Sequence, residues 1–154
     1  MFPLSSEVLQ TYLPHRPPMI WIDRVLKATS LGGTCDLLLC PTALYFQSGK
    51  LIPSAPIEWI AQAAGYCAAA RIHSGITVGY KKLGQTFLVG IRDAKLPDLS
   101  SLQPEDRLVI EIEIVKQLAP LALVKGTIAS KGQEICSMVL KVYGQSDLPA
   151  MSSF

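Results

Sequence analysis

Between positions 107 and 117 apolar and charged residues alternate: Leu108, Ile110, Ile112 and Ile114 share one parity, Glu111 and Glu113 the other. A period of two is that of a pleated strand, so this stretch predicts a strand with one face on a core and one in water. Two further strand patterns follow, Leu121–Ser130 and Gln133–Tyr143. The Lys131-Gly132 pair between them predicts a tight hairpin, because glycine takes the positive φ such turns need. Upstream, Thr86–Lys95 reads as a strand. So do Met19–Lys27 and Gly33–Cys40, joined by a turn at Ser30-Leu31-Gly32-Gly33.

The period changes in the middle of the chain. From Ile57 to about His73 there is no alternation and no β-branched cluster, while alanine, the strongest helix former, is abundant. Ser54 stands at the N-cap position of this helix and Gly75 at its stop. So few charges interrupt it that most of its circumference must be buried. A shorter helix is expected over Ser5–Leu13, capped by Ser5 or Ser6 and ended by Pro14. The order is therefore helix, two strands, a long buried helix, and four strands. A curved antiparallel sheet wrapped around one central helix satisfies it, since the apolar helix then has somewhere to be buried. That α+β architecture is the hotdog fold.

Composition narrows the picture. The 154 residues suit one domain, with residues 5–145 as its core and 146–154 as a frayed tail. With 49% hydrophobic and 17% charged residues the chain is rich for a lone domain, so a sheet edge or helix end is expected to be covered by another subunit, in at least a dimer. A net charge of +2, with Lys81-Lys82 as the only adjacent basic pair among Lys and Arg, argues against nucleic acid as a partner. The N-terminus lacks a basic, then apolar, leader pattern, and no stretch is long and apolar enough for a membrane span, so the cytoplasm is the expected compartment. Cys35, Cys40, Cys67 and Cys136 have no paired spacing and read as buried free thiols, with no metal site. No nucleophile elbow, glycine-rich phosphate loop or HExxH occurs, and no cofactor is implied.

Three segments carry a family likeness. Leu13-Pro14-His15-Arg16-Pro17-Pro18 through Asp23-Arg24-Val25 resembles the "LPHR-P…DRV" opening of bacterial 3-hydroxyacyl-carrier-protein dehydratases. Pro53–Gly65, with Glu58-Trp59-Ile60-Ala61-Gln62, resembles their "E-x-x-A-Q" central helix. Phe87–Leu96, with Gly90-Ile91, resembles their "F-x-G-I-D-x-A-x-F" strand, and Gln103-Pro104-Glu105-Asp106 their "V-x-P-G-D" turn. The Glu-Trp-x-Ala-Gln helix is especially similar to dehydratase-like proteins of aryl-polyene biosynthetic clusters. One feature departs. Where the family has a histidine in a "G-H-F-P-G" loop, Ala43–Pro53 holds none, and its spacing to Glu58 is one residue short. Ser54 replaces the glycine after the proline, and Pro56 removes an amide near the helix start.

The resemblance implies a division of labour. Histidine takes the C2 proton of a 3-hydroxyacyl thioester, the helix carboxyl handles the C3 hydroxyl, and amides at the glycine strand and helix N-terminus polarise the thioester carbonyl. Glu58 is then the catalytic residue, in a buried first turn; read from the residues alone, its plainer reading is a carboxylate compensating a helix N-terminus. Gln62, one turn on, either orients Glu58 or bonds a neighbouring strand. Ser54, Trp59, Phe87, Gly90 and Tyr45 are candidate substrate contacts; for Trp59 and Phe87 the plainer reading is core. His73, about 22 Å along a straight helix from Glu58, is too far to substitute. His15 reads as structural, and Asp23 and Arg24 as partners in ion pairs.

Three functions compete. The chain is half of a hetero-oligomeric dehydratase completed by a histidine-bearing paralogue, acting on acyl carrier protein or coenzyme A thioesters. Otherwise it is a thioesterase using Glu58 alone, or a non-catalytic acyl-chain binder.

Overall fold

In the computed structural model, residues 1–79 and 83–144 are described; Lys81-Lys82 and the expected tail from 146 lie outside them. The chain opens with β1 (Leu4–Ser5), α1 (Ser6–Leu9) and a 3-10 turn at Gln10–Tyr12. The Ser5 side chain caps α1 by accepting from the Val8 amide. Then come β2 (Arg24–Thr29), β3 (Gly32–Leu38), the small hairpin β4 (Phe46–Gln47) and β5 (Lys50–Leu51), and α2 (Ala55–His73). The second half is β6 (Thr86–Lys95), β7 (Arg107–Leu118), β8 (Leu121–Ser130) and β9 (Gln133–Gly144). Seven strands form one antiparallel sheet in the order β1-β2-β3-β7-β8-β9-β6.

The α2 helix packs against β2, β3, β7 and β8. Its alanines set the close approach, and its bulky residues Trp59, Ile60 and Tyr66 are fully buried. Gly126 on β8 is required by this packing: a Cβ there would come within 2.2 Å of Ile60. The helix ends where expected, with Gly75 at φ +74° and its amide on the Ile72 carbonyl. Leu108 and Ile110 of β7 point under α2 while Glu111 and Glu113 face outward, which is the predicted alternation. Lys131 and Gly132 both take positive φ in the β8–β9 hairpin.

Several local expectations are corrected. Gly32 and Gly33 lie in β3, not in the turn, which is left to Ser30-Leu31. Gly32 passes so close to β7 that a Cβ would sit 1.9 Å from the Ile112 carbonyl oxygen. Residues 19–23 precede β2 instead of opening it. The backbone of Met19 and Trp21 is bonded by the Gln62 side chain, which takes the place of a ladder partner. The β4–β5 hairpin was not anticipated; Ser48 and Gly49 turn it with φ of 52° and 74°. Arg24 forms an ion pair as expected, with buried Asp36, which also holds Arg107 Nη1 at 2.7 Å. Asp23 instead accepts the Leu38 amide at 2.7 Å; burial pushes its pKa up and that bond opposes the shift. Cys35, Cys67 and Cys136 are buried free thiols as expected, but Cys40 is exposed. Among the described residues, no helix is long and apolar enough to cross a membrane.

Candidate functional site

Glu58 stands in the first turn of α2. A carboxylate there is favoured by the positive end of the helix dipole, which is the plain electrostatic role. Its side chain is 37% exposed, so this chain alone does not provide the buried setting the family likeness implied. One turn on, Gln62 is 1% exposed and makes three hydrogen bonds. Its Oε1 accepts from the Trp21 amide at 2.9 Å, and its Nε2 donates to the Met19 carbonyl at 2.8 Å and to Glu58 Oε1 at 2.9 Å. The first two partners fix the amide's orientation, since a backbone N–H only donates and a carbonyl only accepts. Glu58 Oε1 therefore receives an N–H. Gln62 thus contacts Glu58 and ties the 19–21 segment, which lies outside the strands, to the helix.

The start of α2 is occupied by its own backbone. The Ala55 amide bonds the Ile52 carbonyl at 3.1 Å, and those of Ile57 and Glu58 both reach the Ser54 carbonyl, at 3.1 and 3.3 Å. Pro56 has no amide to give. The amides of Ala55, Ile57 and Glu58 are thus already engaged within the chain, which leaves none of these three for a thioester carbonyl. Ser54 holds the N-cap position but its side chain makes no capping bond. The reason is local: of the two amides a cap can serve, one is missing at Pro56 and the other is already on the Ser54 carbonyl.

Behind Glu58, Trp59 and Tyr45 meet edge to face with ring centres 5.4 Å apart, and Tyr45 meets Trp21 likewise at 5.0 Å. The Tyr45 hydroxyl accepts from the Cys40 amide at 2.9 Å, so it supports the loop that precedes the helix, and burial raises its pKa. Phe87 and Gly90 are not brought to this cluster. They lie on β6, an edge strand two places beyond the strands that α2 covers, and Phe87 is 47% exposed. Against the expectation of core for Phe87, nothing among the described residues buries it. A Cβ on Gly90 would meet nothing nearer than 3.7 Å, so packing inside the chain does not require glycine there.

One contact was not anticipated for a residue read as structural. His15 Nε2 lies 3.9 Å from Glu58 Oε1. His73, by contrast, is at the far end of α2, with Nδ1 3.1 Å from the Tyr12 hydroxyl. Two hollows, of about 370 and 400 Å³, lie on the outer face of the sheet around Lys27, Glu113 and Lys125 and beside α1 around Glu7 and Pro18; Glu58 lines neither.

A seven-stranded antiparallel sheet wrapped around one long helix is the hotdog fold. The chain belongs to the ApeP-like family, described as ApeP dehydratase, which matches residues 7–153. It is 29% identical over 140 residues to the 3-hydroxyacyl-[acyl-carrier-protein] dehydratase FabZ of Vibrio cholerae, covering 86% of each chain. Among solved structures it is similar to the dehydratase heterocomplex ApeI:P from Xenorhabdus doucetiae, with a TM-score of 0.74 at 20% identity over 88% of this chain and 90% of that one. A hypothetical thioesterase from Streptococcus pneumoniae, solved with coenzyme A, shares the fold at a TM-score of 0.58 and 14% identity, over 78% of this chain and 83% of that one.

Proposed function

We propose that this chain is the carboxylate-bearing subunit of a hetero-oligomeric 3-hydroxyacyl thioester dehydratase, with the histidine supplied by a different subunit. The observation that carries this is the pairing of an oriented Glu58 at the head of α2 with a preceding loop that folds as the β4–β5 hairpin and contains no histidine. The Xenorhabdus heterocomplex supports it, as a dehydratase of this fold assembled from two different chains. So does the apolar surface left open on β6, where Phe87, Leu88, Val89 and Ile91 are all exposed at a sheet edge. A second subunit docked there would bring Phe87 and Gly90 into use.

In this reading the partner's histidine removes the C2 proton, the C2–C3 double bond forms, and the C3–O bond breaks as Glu58 gives its proton to the departing hydroxyl, releasing water. Proton return from the imidazolium to Glu58 resets the site. Gln62 holds Glu58, buried Trp59 and Tyr45 back it, and Ser54 stands at the head of the helix. The acyl chain rides on an acyl carrier protein or coenzyme A, in the cytoplasm, and the aryl-polyene likeness points to polyene intermediates.

The test runs the reaction backward, with a short enoyl thioester of acyl carrier protein read by mass spectrometry. Alone, the chain leaves the substrate unchanged; with a histidine-bearing dehydratase subunit it adds water, and Glu58→Gln lowers that rate about 100-fold or more. Hydration by the chain alone overturns the two-subunit reading. Release of the carrier thiol makes the protein a thioesterase instead.

A further inference from the structure

We propose that His15 is a positioning residue for Glu58, holding the carboxyl oxygen that does not react. The inference rests on the dehydratase reading, in which Glu58 is the acid. Two side chains converge on Glu58 Oε1: Gln62 Nε2 at 2.9 Å and His15 Nε2 at 3.9 Å. An oxygen held by N–H donors is a poor seat for a proton, so the proton that leaves with the hydroxyl belongs on Oε2. The 3.9 Å gap is too long for a hydrogen bond and too short for an intervening water. It closes by a movement of about 1 Å, the kind of tightening that catalytic contacts undergo when substrate binds.

The segment carrying His15 is built to hold the ring in place. Arg16 Nη1 donates to the carbonyls of Gln10, Leu13 and His15, at 2.9, 2.7 and 2.7 Å, which turns its charge away from Glu58 and stiffens the backbone on either side. A few residues on, Gln62 bonds Met19 and Trp21, so the amide that orients Glu58 also straps this segment to α2. Among the described residues His15 Nδ1 is buried without a partner. A stranded N–H is rarer in protein interiors than an under-used acceptor, which puts the ring proton on Nε2, facing Glu58. The charged group that faces the ring is Glu58, with Arg16 next to it on the same segment.

Two measurements on the assembled protein decide it. The ¹⁵N shifts of the His15 ring report the proton on Nε2, and Glu58→Ala is expected to change them toward a mixture of tautomers. In the hydration assay His15→Leu lowers kcat about 10-fold to 100-fold, with KM within about two-fold. His15→Gln restores most of the rate, because its side-chain amide carries an N–H to the same place. Ring shifts indifferent to Glu58, an unchanged kcat in His15→Leu, or a glutamine variant no better than leucine each overturn the proposal. The shifts need no turnover. If they respond to Glu58→Ala but no hydration occurs, the contact stands and the dehydratase reading falls; if hydration depends on Glu58 but not on His15, only the positioning role falls.

Discussion

Strands β7 and β6 are both long and rich in aliphatic side chains, yet they end in opposite environments. Leu108 and Ile110 of β7 are fully buried beneath α2, whereas Phe87, Leu88, Val89 and Ile91 of β6 are 41–54% exposed at the edge of the sheet. Position relative to α2 decides this, because a helix covers only the strands it lies on, and those are β2, β3, β7 and β8. The sequences differ accordingly. In β7 glutamates alternate with the apolar residues, as suits a strand with one wet face; in β6 apolar residues follow one another and make both faces apolar. Among the described residues nothing covers such a strand, and an open apolar edge is what the proposed second subunit would cover.

The largest effect separating the two regions comes from Trp59. It is fully buried beside Tyr45, so Trp59→Ala removes a large side chain from a packed site and should lower unfolding free energy by about 3–5 kcal/mol in urea denaturation. Phe87→Ala, at nearly half exposure on β6, sharpens the contrast by costing under about 1 kcal/mol.

Within the buried region Tyr66 gives a smaller effect of opposite sign. Its hydroxyl is buried with no partner among the described residues, and burial pushes its pKa from 10.0 to about 12. The folded state thus holds its proton more tightly than the unfolded chain. The resulting stability is full below pH 10 and is lost as pH rises through about 12. Tyr66→Phe should flatten that alkaline limb and, by deleting an unsatisfied hydroxyl, raise stability near neutrality by about 1 kcal/mol. Melts at a series of pH values check both.

What was legible in the sequence followed the strength of the local signal. Period-two alternation set β7, β8 and β9 within a residue or so, and alanine content with Gly75 set α2. Where a side chain from elsewhere takes over backbone bonding, the local pattern misleads, as at residues 19–23 under Gln62. Gly32-Gly33 looks like a turn but is glycine for close approach between strands, and no local pattern distinguishes the two uses. The β4–β5 strands are too short to show a period, with only Ser48-Gly49 to mark them. Glu58 and Gln62 were visible because they sit one turn apart on one helix. His15 was not, because its approach to Glu58 joins a loop to a helix 43 residues away from it in the chain, as Gln62's bond to Met19 does for the same segment. The usable clue was its place among Pro14, Pro17 and Pro18, which makes for a stiff segment able to hold a ring in place.

The smallest effect on stability should have the largest on assembly. Val89 is 54% exposed and sits where the β6–β9 register shifts between Leu88 and Gly90, so it packs on little within its own chain. Val89→Lys should therefore change unfolding free energy by no more than about 0.5 kcal/mol. A lysine on an edge strand opposes strand-to-strand docking, because its charge would have to be desolvated as the partner closes over it. Light scattering on the eluting protein should then find the variant at the mass of a single chain while the unsubstituted protein runs as an oligomer. If the mass is unchanged, β6 is not the docking edge; if the melt falls as far as that of Trp59→Ala, the edge is packed within the chain after all, and the contrast between β6 and β7 dissolves.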